Sequence, residues 1–346
     1  MTTSSRARVH GGPKIHRVVR TGSSGALVVI VNSHGVLRAV KTARRPRVTA
    51  VEQQLAREAI NDWFPGRLPA VLFAGKVSSL DVLVTECPSS GTLADLVTVD
   101  PVAAQHVWAD VVGHVQRVWQ ASARPGFDAA AATRNHQMRW QRARAGLNWS
   151  LDRLGIGPVS GRLVVNGADL GTLDGVLRRL GTVPAPLVHV ACQGDPQPRN
   201  VLVDTARKWH LVDWEWAGTH HDWRMLVSHL LAWWQIENFH TAASGDVTIS
   251  QRGDLELSYD RPAAPPGATL APGVGAFDAM TTPAHRDADL TALANHLAML
   301  HLREIPNAAR DRPWLVAPLL GEAARLATGP IHYDLLRLVQ PDRRTT

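Results

Sequence analysis

The stretch from Gly194 to Glu215 constrains this chain more than any other. It opens with Gly194-Asp195-Pro196-Gln197-Pro198-Arg199-Asn200, runs through apolar Val201-Leu202-Val203, and closes on Leu211-Val212-Asp213-Trp214-Glu215. Gly, Pro, Asp and Asn favour a loop, and short apolar runs bounded by such residues read as buried strands. A polar loop followed by a tight hairpin is therefore predicted, with Asp195, Asn200 and Asp213 brought together. An alcohol attacking a phosphate must be oriented and lose its proton, which a carboxylate can accept, while Mg²⁺ takes hard oxygen ligands such as a carboxylate and an amide. Asp195 is the expected base; Asn200 and Asp213 are the expected metal ligands. Asp and Asn also serve plain turns, and it is the register with Asp213 that favours the chemical reading.

Upstream, Val18 to Arg20 and Ala26 to Val31 read as strands around Thr21-Gly22-Ser23-Ser24-Gly25, and a second turn at Asn32 to Gly35 leads into a third strand, Val36 to Lys41. Gly22, Ser23, Ser24 and Gly25 could turn backbone N–H groups toward a phosphate, or simply make a hairpin turn. Thr49 and Glu52 have the spacing of a capping box for a helix to about Trp63, on which Val51, Leu55 and Glu58 share a stripe. Strands Ala70 to Ala74 and Asp81 to Thr85 follow. The small-residue link from Glu86 to Gly91 then suggests a lobe boundary, 1–88 against 89–346.

Asp100-Pro101 has the form of a helix start, and Val107, Val111, Val115 and Trp119 continue at helical spacing. Residues 125–186 read as helices with Gly-rich breaks. Helices are expected again over Asp222 to Asn238 and Asp289 to Arg303. Between them, alternating Val247, Ile249, Leu255, Leu257 and Tyr259 suggest a hairpin, and with the Pro/Gly-rich stretch after it residues 244–275 are expected to form an inserted flap over an acceptor.

Composition narrows the class. In 346 residues, 45% are apolar and 19% charged, as in a globular protein. The longest apolar run, Ala26 to Val31, is too short for a membrane span, and Met1 to Gly12 shows no apolar signal segment, so a cytoplasmic protein without membrane partners is expected. Cys87 and Cys192 are too few for a disulfide framework. Residues 1–200 carry 24 basic and 13 acidic side chains, and 201–346 carry 13 and 17. The second stretch would tolerate a cationic partner. Nucleic acid is not expected, because Arg38, Arg44, Arg45 and Arg47 have no aromatic residue among them.

The ordered motifs resemble the aminoglycoside phosphotransferase and choline kinase group, relatives of the protein kinases. That group carries His-Gly-Asp, four residues, Asn, a hydrophobic strand, and later an Asp often followed by Trp-Glu. The resemblance implies an α+β, two-lobed kinase-like fold: an N-terminal antiparallel sheet with one helix, then a mainly helical C-terminal lobe. It further implies that Lys41, ending Arg38-Ala39-Val40-Lys41, neutralises nucleotide phosphate and is held by Glu58, that Glu86 ends the hinge strand, and that Asp222 is a structural acid. The implied activity is Mg²⁺-dependent transfer of the γ-phosphoryl group of ATP or GTP to a hydroxyl of a small molecule, such as an antibiotic. A metabolic kinase of a sugar or amino alcohol, a basic nucleic-acid-binding protein and a pseudokinase scaffold remain open alternatives. Gln193 stands where the group has His, Gln197 where a second His is common, and Pro198-Arg199 in place of Pro-Gly.

Overall fold

The computed structural model describes residues 14–19, 26–126, 129–157, 159, 161–231, 243–260 and 271–328. The loop Gly22 to Gly25 lies outside the described residues, as do 232–238 of the helix expected from Asp222 and 261–270 of the expected flap. The chain runs β1 (Lys14–Val19), β2 (Leu27–Ser33), β3 (Val36–Ala43), α1 (Ala50–Ile60), β4 (Val71–Val77) and β5 (Leu80–Glu86). Helices α2 (Leu93–Val99), α3 (Pro101–Ser122) and α4 (Ala129–Arg153) follow, then β6 (Arg162–Val165), β7 (Ala168–Thr172) and α5 (Leu173–Leu180). Next come β8 (His189–Cys192), β9 (Val201–Val203), β10 (Trp209–Leu211), β11 (Gly218–Asp222) and α6, described over 223–231. Strands β12 (Gly245–Ile249) and β13 (Leu255–Tyr259) precede α7 (Ala271–Met280), α8 (Arg286–Asp311) and α9 (Val316–Thr328).

Contacts group the chain up to Val107 with Gln193–Gly218 as one unit, and Trp108–Cys192 with the residues from Thr219 onward as a second. The division expected at 88/89 is not the one the contacts follow. Beyond the link, Thr92 bridges Leu202, Val203 N–H donates to Gly91 O at 3.1 Å, and the Arg207 guanidinium meets Asp100 at 2.9 Å. These bonds bind α2 and the start of α3 to the β9–β10 hairpin.

The first unit is built on a five-stranded antiparallel sheet in the order β1-β2-β3-β5-β4. Helix α1 crosses between β3 and β4. Its start is fixed as expected: the Thr49 hydroxyl accepts from Glu52 N–H, and the Glu52 carboxylate accepts from Thr49 N–H at 2.7 Å. Asp81, on β5, accepts from Ala50 N–H at 2.6 Å, so the same helix end is tied to the sheet. The predicted stripe faces the other way. Val51, Leu55 and Glu58 are exposed, and the buried positions of α1 are Ala50, Gln53 and Ile60.

The second unit is mainly helical. On α3, Val111, Val115 and Trp119 form its buried face, as the helical spacing predicts. Helices α4, α5, α8 and α9 and a four-stranded sheet in the order β12-β13-β6-β7 share one core, in which Leu147, Leu163, Leu177, Leu257, Leu302 and Leu319 are nearly inaccessible. Strand β13 pairs in parallel with β6, Leu255 opposite Leu163, and the Tyr259 hydroxyl donates to Glu322 on α9 at 2.8 Å. Residues 245–259 are therefore an integral layer of this core and not a flap, because Leu255, Leu257 and Tyr259 are all buried on one face of β13.

A buried charged cluster marks this unit. The Arg224 side chain, 1% exposed, meets Asp222 at 2.9 Å and Asp289 at 3.3 Å. Burial alone would raise the Asp222 pKa, but hydrogen bonds from His296 and Arg224 hold it well below the usual carboxylate range. The His136 ring lies edge-on to His296 and its Nε2 bonds Leu180 O at 2.8 Å. Burial, reinforced by the charges of His296 and Arg139 against a weaker opposing pull from Leu180 O and Asp222, pushes His136 down to about 4. Because the unfolded imidazole titrates near pH 6.5, the unfolded chain takes up a proton the folded chain refuses, so the stability this group contributes is full above about pH 6.5 and is lost as the pH falls toward 4. The urea midpoint should drop between pH 7 and 5, and His136→Gln should flatten that slope; an unchanged slope would place the titrating group elsewhere. Among the described residues, no helix is long and apolar enough to cross a membrane.

Candidate active site

All the described residues expected to carry chemistry lie in the first unit. Gly194 begins the loop at φ +99°, where an L side chain is strained, and a Cβ there would also run into the Trp216 carbonyl. The tight turn brings Asp195 beside its loop partners. Gln197 Nε2 donates to Asp195 Oδ2 at 2.7 Å, and Asn200 Nδ2 donates to Asp195 O at 3.0 Å and to Oδ2 at 3.3 Å. With its NH₂ committed to Asp195, the Asn200 amide keeps an oxygen that can serve a cation.

Gln193 is completely buried, and it ties the two halves of the site together. Its Nε2 donates to Val212 O at 2.6 Å and Asp213 O at 2.8 Å, and its Oε1 accepts from Asp195 N–H at 2.9 Å. The amide thus fixes the backbone on both sides, with three bonds where a neutral imidazole offers one donor and one acceptor. Asp213 itself takes φ +62°, a left-handed conformation that Asp tolerates better than most residues and that turns its backbone sharply just after the hairpin.

Lys41 stands on β3, paired across the sheet with Val28 and Leu83. Its Nζ donates to Glu215 at 2.6 Å, to Asp213 at 2.8 Å and to Gln53 at 3.3 Å. Burial alone would lower its pKa, but the two carboxylates outweigh that and hold the ammonium above its ordinary value. Lys41, Asp195, Asn200 and Asp213 are thereby linked into one constellation through the loop, the hairpin and β3.

Glu58 is not part of it. Its carboxylate accepts from Gln54 Nε2 at 2.8 Å on the exposed face of α1, and the expected Lys41–Glu58 pair does not form. Gln53 and Glu215 are the residues sequence reasoning missed. Glu215 was visible as the second acid of Asp213-Trp214-Glu215, whereas nothing in the spacing marked Gln53. Glu86 ends β5 opposite Arg38; its N–H donates to Ala70 O at 2.9 Å, and the following Cys87 N–H donates to Leu37 O at 3.1 Å.

The residues fit a divalent cation. Asp213, with its side chain 43% exposed, and Asn200 supply two hard oxygens, a small protein set of the sort Mg²⁺ completes with water and phosphate oxygens. Among the described residues no group of three or more His, Cys, Asp or Glu is placed to hold a metal by itself.

No protein-family model and no curated protein sequence matches this chain. Solved structures do. A thermostable mutant of aminoglycoside phosphotransferase APH(4)-Ia, in a ternary complex with ADP and hygromycin B, is similar at 14% identity with a TM-score of 0.51, covering 90% of this chain and 92% of that one. Ethanolamine kinase of Plasmodium vivax is similar at 7% identity and TM-score 0.47, over 92% of this chain and 82% of that one. A microcompartment-associated aminopropanol kinase follows at 12% identity and TM-score 0.43, over 95% and 94%. The chain has the protein-kinase-like fold of the aminoglycoside phosphotransferases, with the N-terminal antiparallel sheet and helical C-terminal region expected from its motifs.

Proposed function

We propose that the protein is a phosphotransferase that moves the γ-phosphoryl group of ATP or GTP to a hydroxyl of a small molecule. The observation that carries this reading is the joining of Lys41, Asp195, Asn200 and Asp213 in one unit by hydrogen bonds of 2.8 to 3.3 Å, Lys41 to Asp213 and Asn200 to Asp195 directly and Asp213 to Asp195 through Gln193. A neighbour of the same fold holding ADP and an aminoglycoside is consistent with it. In this reading Asp195 accepts a hydrogen bond from the acceptor hydroxyl and takes its proton as the phosphoryl group transfers. Gln197 and Asn200 hold the carboxylate in place, and Lys41 places its charge against nucleotide phosphate. Asn200 and Asp213 would hold Mg²⁺, which when bound neutralises charge on the phosphate oxygens. The acidic balance of residues 201–346 favours a neutral or cationic acceptor over an anionic one.

A screen of purified protein with Mg²⁺ and either nucleotide against aminoglycosides, peptide and nucleoside antibiotics, sugars and amino alcohols tests this. Acceptor-dependent nucleotide turnover is expected with at least one class. Nucleotide binding without transfer to any acceptor would favour a pseudokinase scaffold, and salt-sensitive retention of DNA or RNA without turnover would favour a nucleic-acid-binding protein.

The metal assignment has its own consequence. Asp213→Ala should raise the Mg²⁺ concentration for half-maximal turnover by about tenfold or more, and Asn200→Ala by less, since Asp213 brings a formal charge and Asn200 only a dipole. Metal titrations of both variants check it, and wild-type Mg²⁺ dependence in both would move the metal site elsewhere.

A further inference from the structure

Helix α1 carries two carboxylates, Glu52 and Glu58, and neither faces β3. Glu52 is committed to the capping box, with Thr49 N–H at 2.7 Å and the Thr49 hydroxyl at 2.8 Å, and Glu58 to Gln54. The α1 side chain that does reach Lys41 is Gln53, 3% exposed, anchored through its Nε2 to Val48 O at 3.1 Å. An amide can orient an ammonium but cannot balance its charge, so the half-buried Lys41 takes its counter-charge from the segment after β10.

Two acids there share it, and they differ. Asp213 is 43% exposed at its side chain and stands where a metal ligand is needed; Glu215 is 12% exposed and makes the shorter contact, 2.6 Å. We propose that Glu215 is the positioning residue that holds Lys41 in place for nucleotide phosphate, the role a helix carboxylate fills in kinases that pair the strand lysine with an acid of that helix. This inference rests on the phosphotransferase reading and deepens it. Asp213 leaves the lysine when nucleotide and cation enter, and Glu215 stays. The orientation of Lys41 is then tied to the Asp213-Trp214-Glu215 segment, which also carries the metal ligand, and not to the position of α1.

The test is a crystal structure of the full chain with adenylyl imidodiphosphate and Mg²⁺, together with kinetics of Glu215→Gln, Glu58→Gln and the transposed double variant Glu215→Gln/Gln53→Glu. In the crystal, Lys41 Nζ should remain within about 3.5 Å of Glu215 while Asp213 moves off it. A complex in which Lys41 pairs with Glu52 or Glu58, or in which Glu215 leaves the lysine, would overturn the proposal. In solution Glu215→Gln should lower kcat about 10- to 100-fold, the scale of a misplaced reacting group, with the Mg²⁺ half-saturation unchanged. Glu58→Gln should match wild type. The double variant, which moves the carboxylate to the helix, should recover most of the lost kcat. Wild-type kcat in Glu215→Gln, or a loss that comes with a raised Mg²⁺ requirement and no recovery on transposition, would refute it. The crystal readout needs no turnover, so an enzyme inactive on every acceptor would sink the phosphotransferase reading and leave the Lys41–Glu215 pair to be judged separately.

Discussion

Asp195→Asn should lower kcat by about 10² to 10⁴, the usual scale for removing a general base, while the nucleotide dissociation constant changes little. Asn preserves the shape of the side chain and can still accept from Gln197, so the loop keeps its geometry. What disappears is the capacity to take a proton from the acceptor. Nucleotide affinity is insulated because the groups assigned to phosphate and cation are Lys41, Asn200 and Asp213. Steady-state kinetics with a fluorescent-nucleotide titration of the same variant separate the two effects. Near-wild-type kcat would remove Asp195 from the base role, and an equal loss of nucleotide affinity would show that the substitution had disturbed the loop.

Arg224→Met should be the most destabilising single change outside the active site. The guanidinium is 1% exposed and meets both Asp222 and Asp289, and Asp289 accepts in addition from the Thr281 hydroxyl at 2.9 Å. Removing one partner of a buried ionic cluster leaves uncompensated charge out of water, which costs about 3–5 kcal/mol. Both carboxylates would lose the guanidinium, Asp222 keeping its contacts with the residue-224 backbone N–H and His296, and Asp289 its bond from the Thr281 hydroxyl. Urea denaturation of Arg224→Met should show a loss of that size, and Arg224→Lys should recover only part of it because an ammonium cannot reach both acids with a planar fork. A loss below about 1 kcal/mol would mean that the cluster is already hydrated or that its acids take up protons readily.

Much of this architecture could be read from residue order, and the exceptions have physical causes. The loop from Gly194 to Asn200 and its hairpin were legible because Gly, Pro and Asx residues fix backbone geometry locally. The capping box at Thr49 and the helix start at Asp100-Pro101 were legible for the same reason, and Ala103 N–H does donate to Asp100 Oδ1 at 3.0 Å. The facing of α1 was not. Val51 and Leu55 repeat at helical spacing, yet they are 48% and 58% exposed, because periodicity defines a stripe and not what the stripe packs against. The inward face carries instead Ala50, Ile60 and polar Gln53, whose amide bonds both Lys41 and Val48 O.

The hairpin β6–β7 carried its signal in Asn166-Gly167, with both residues at positive φ, inside a stretch that otherwise read as helical. Its partner was invisible: β6 pairs with β13 in parallel, Leu163 opposite Leu255, and no local pattern encodes a pairing between strands so far apart in the chain. That pairing makes 245–259 part of a core; alternation there predicted the hairpin that forms, and the flap was suggested by the Pro/Gly-rich stretch after it. Glu215 was in plain view beside Asp213, but only the fold shows that its carboxylate reaches Lys41.

The proposed transfer of a phosphoryl group from nucleotide to an alcohol has a direct chemical readout. It is tested most directly by incubating the protein with Mg²⁺, nucleotide labelled at the γ-phosphorus and the acceptor panel, and then following the label into product beside Asp195→Asn. Label is expected in a phosphate ester of one acceptor class with wild-type protein, and at most about one hundredth of that rate with the variant. Label that appears only as inorganic phosphate, or in nothing at all although nucleotide binds, or equally in both proteins, would contradict it.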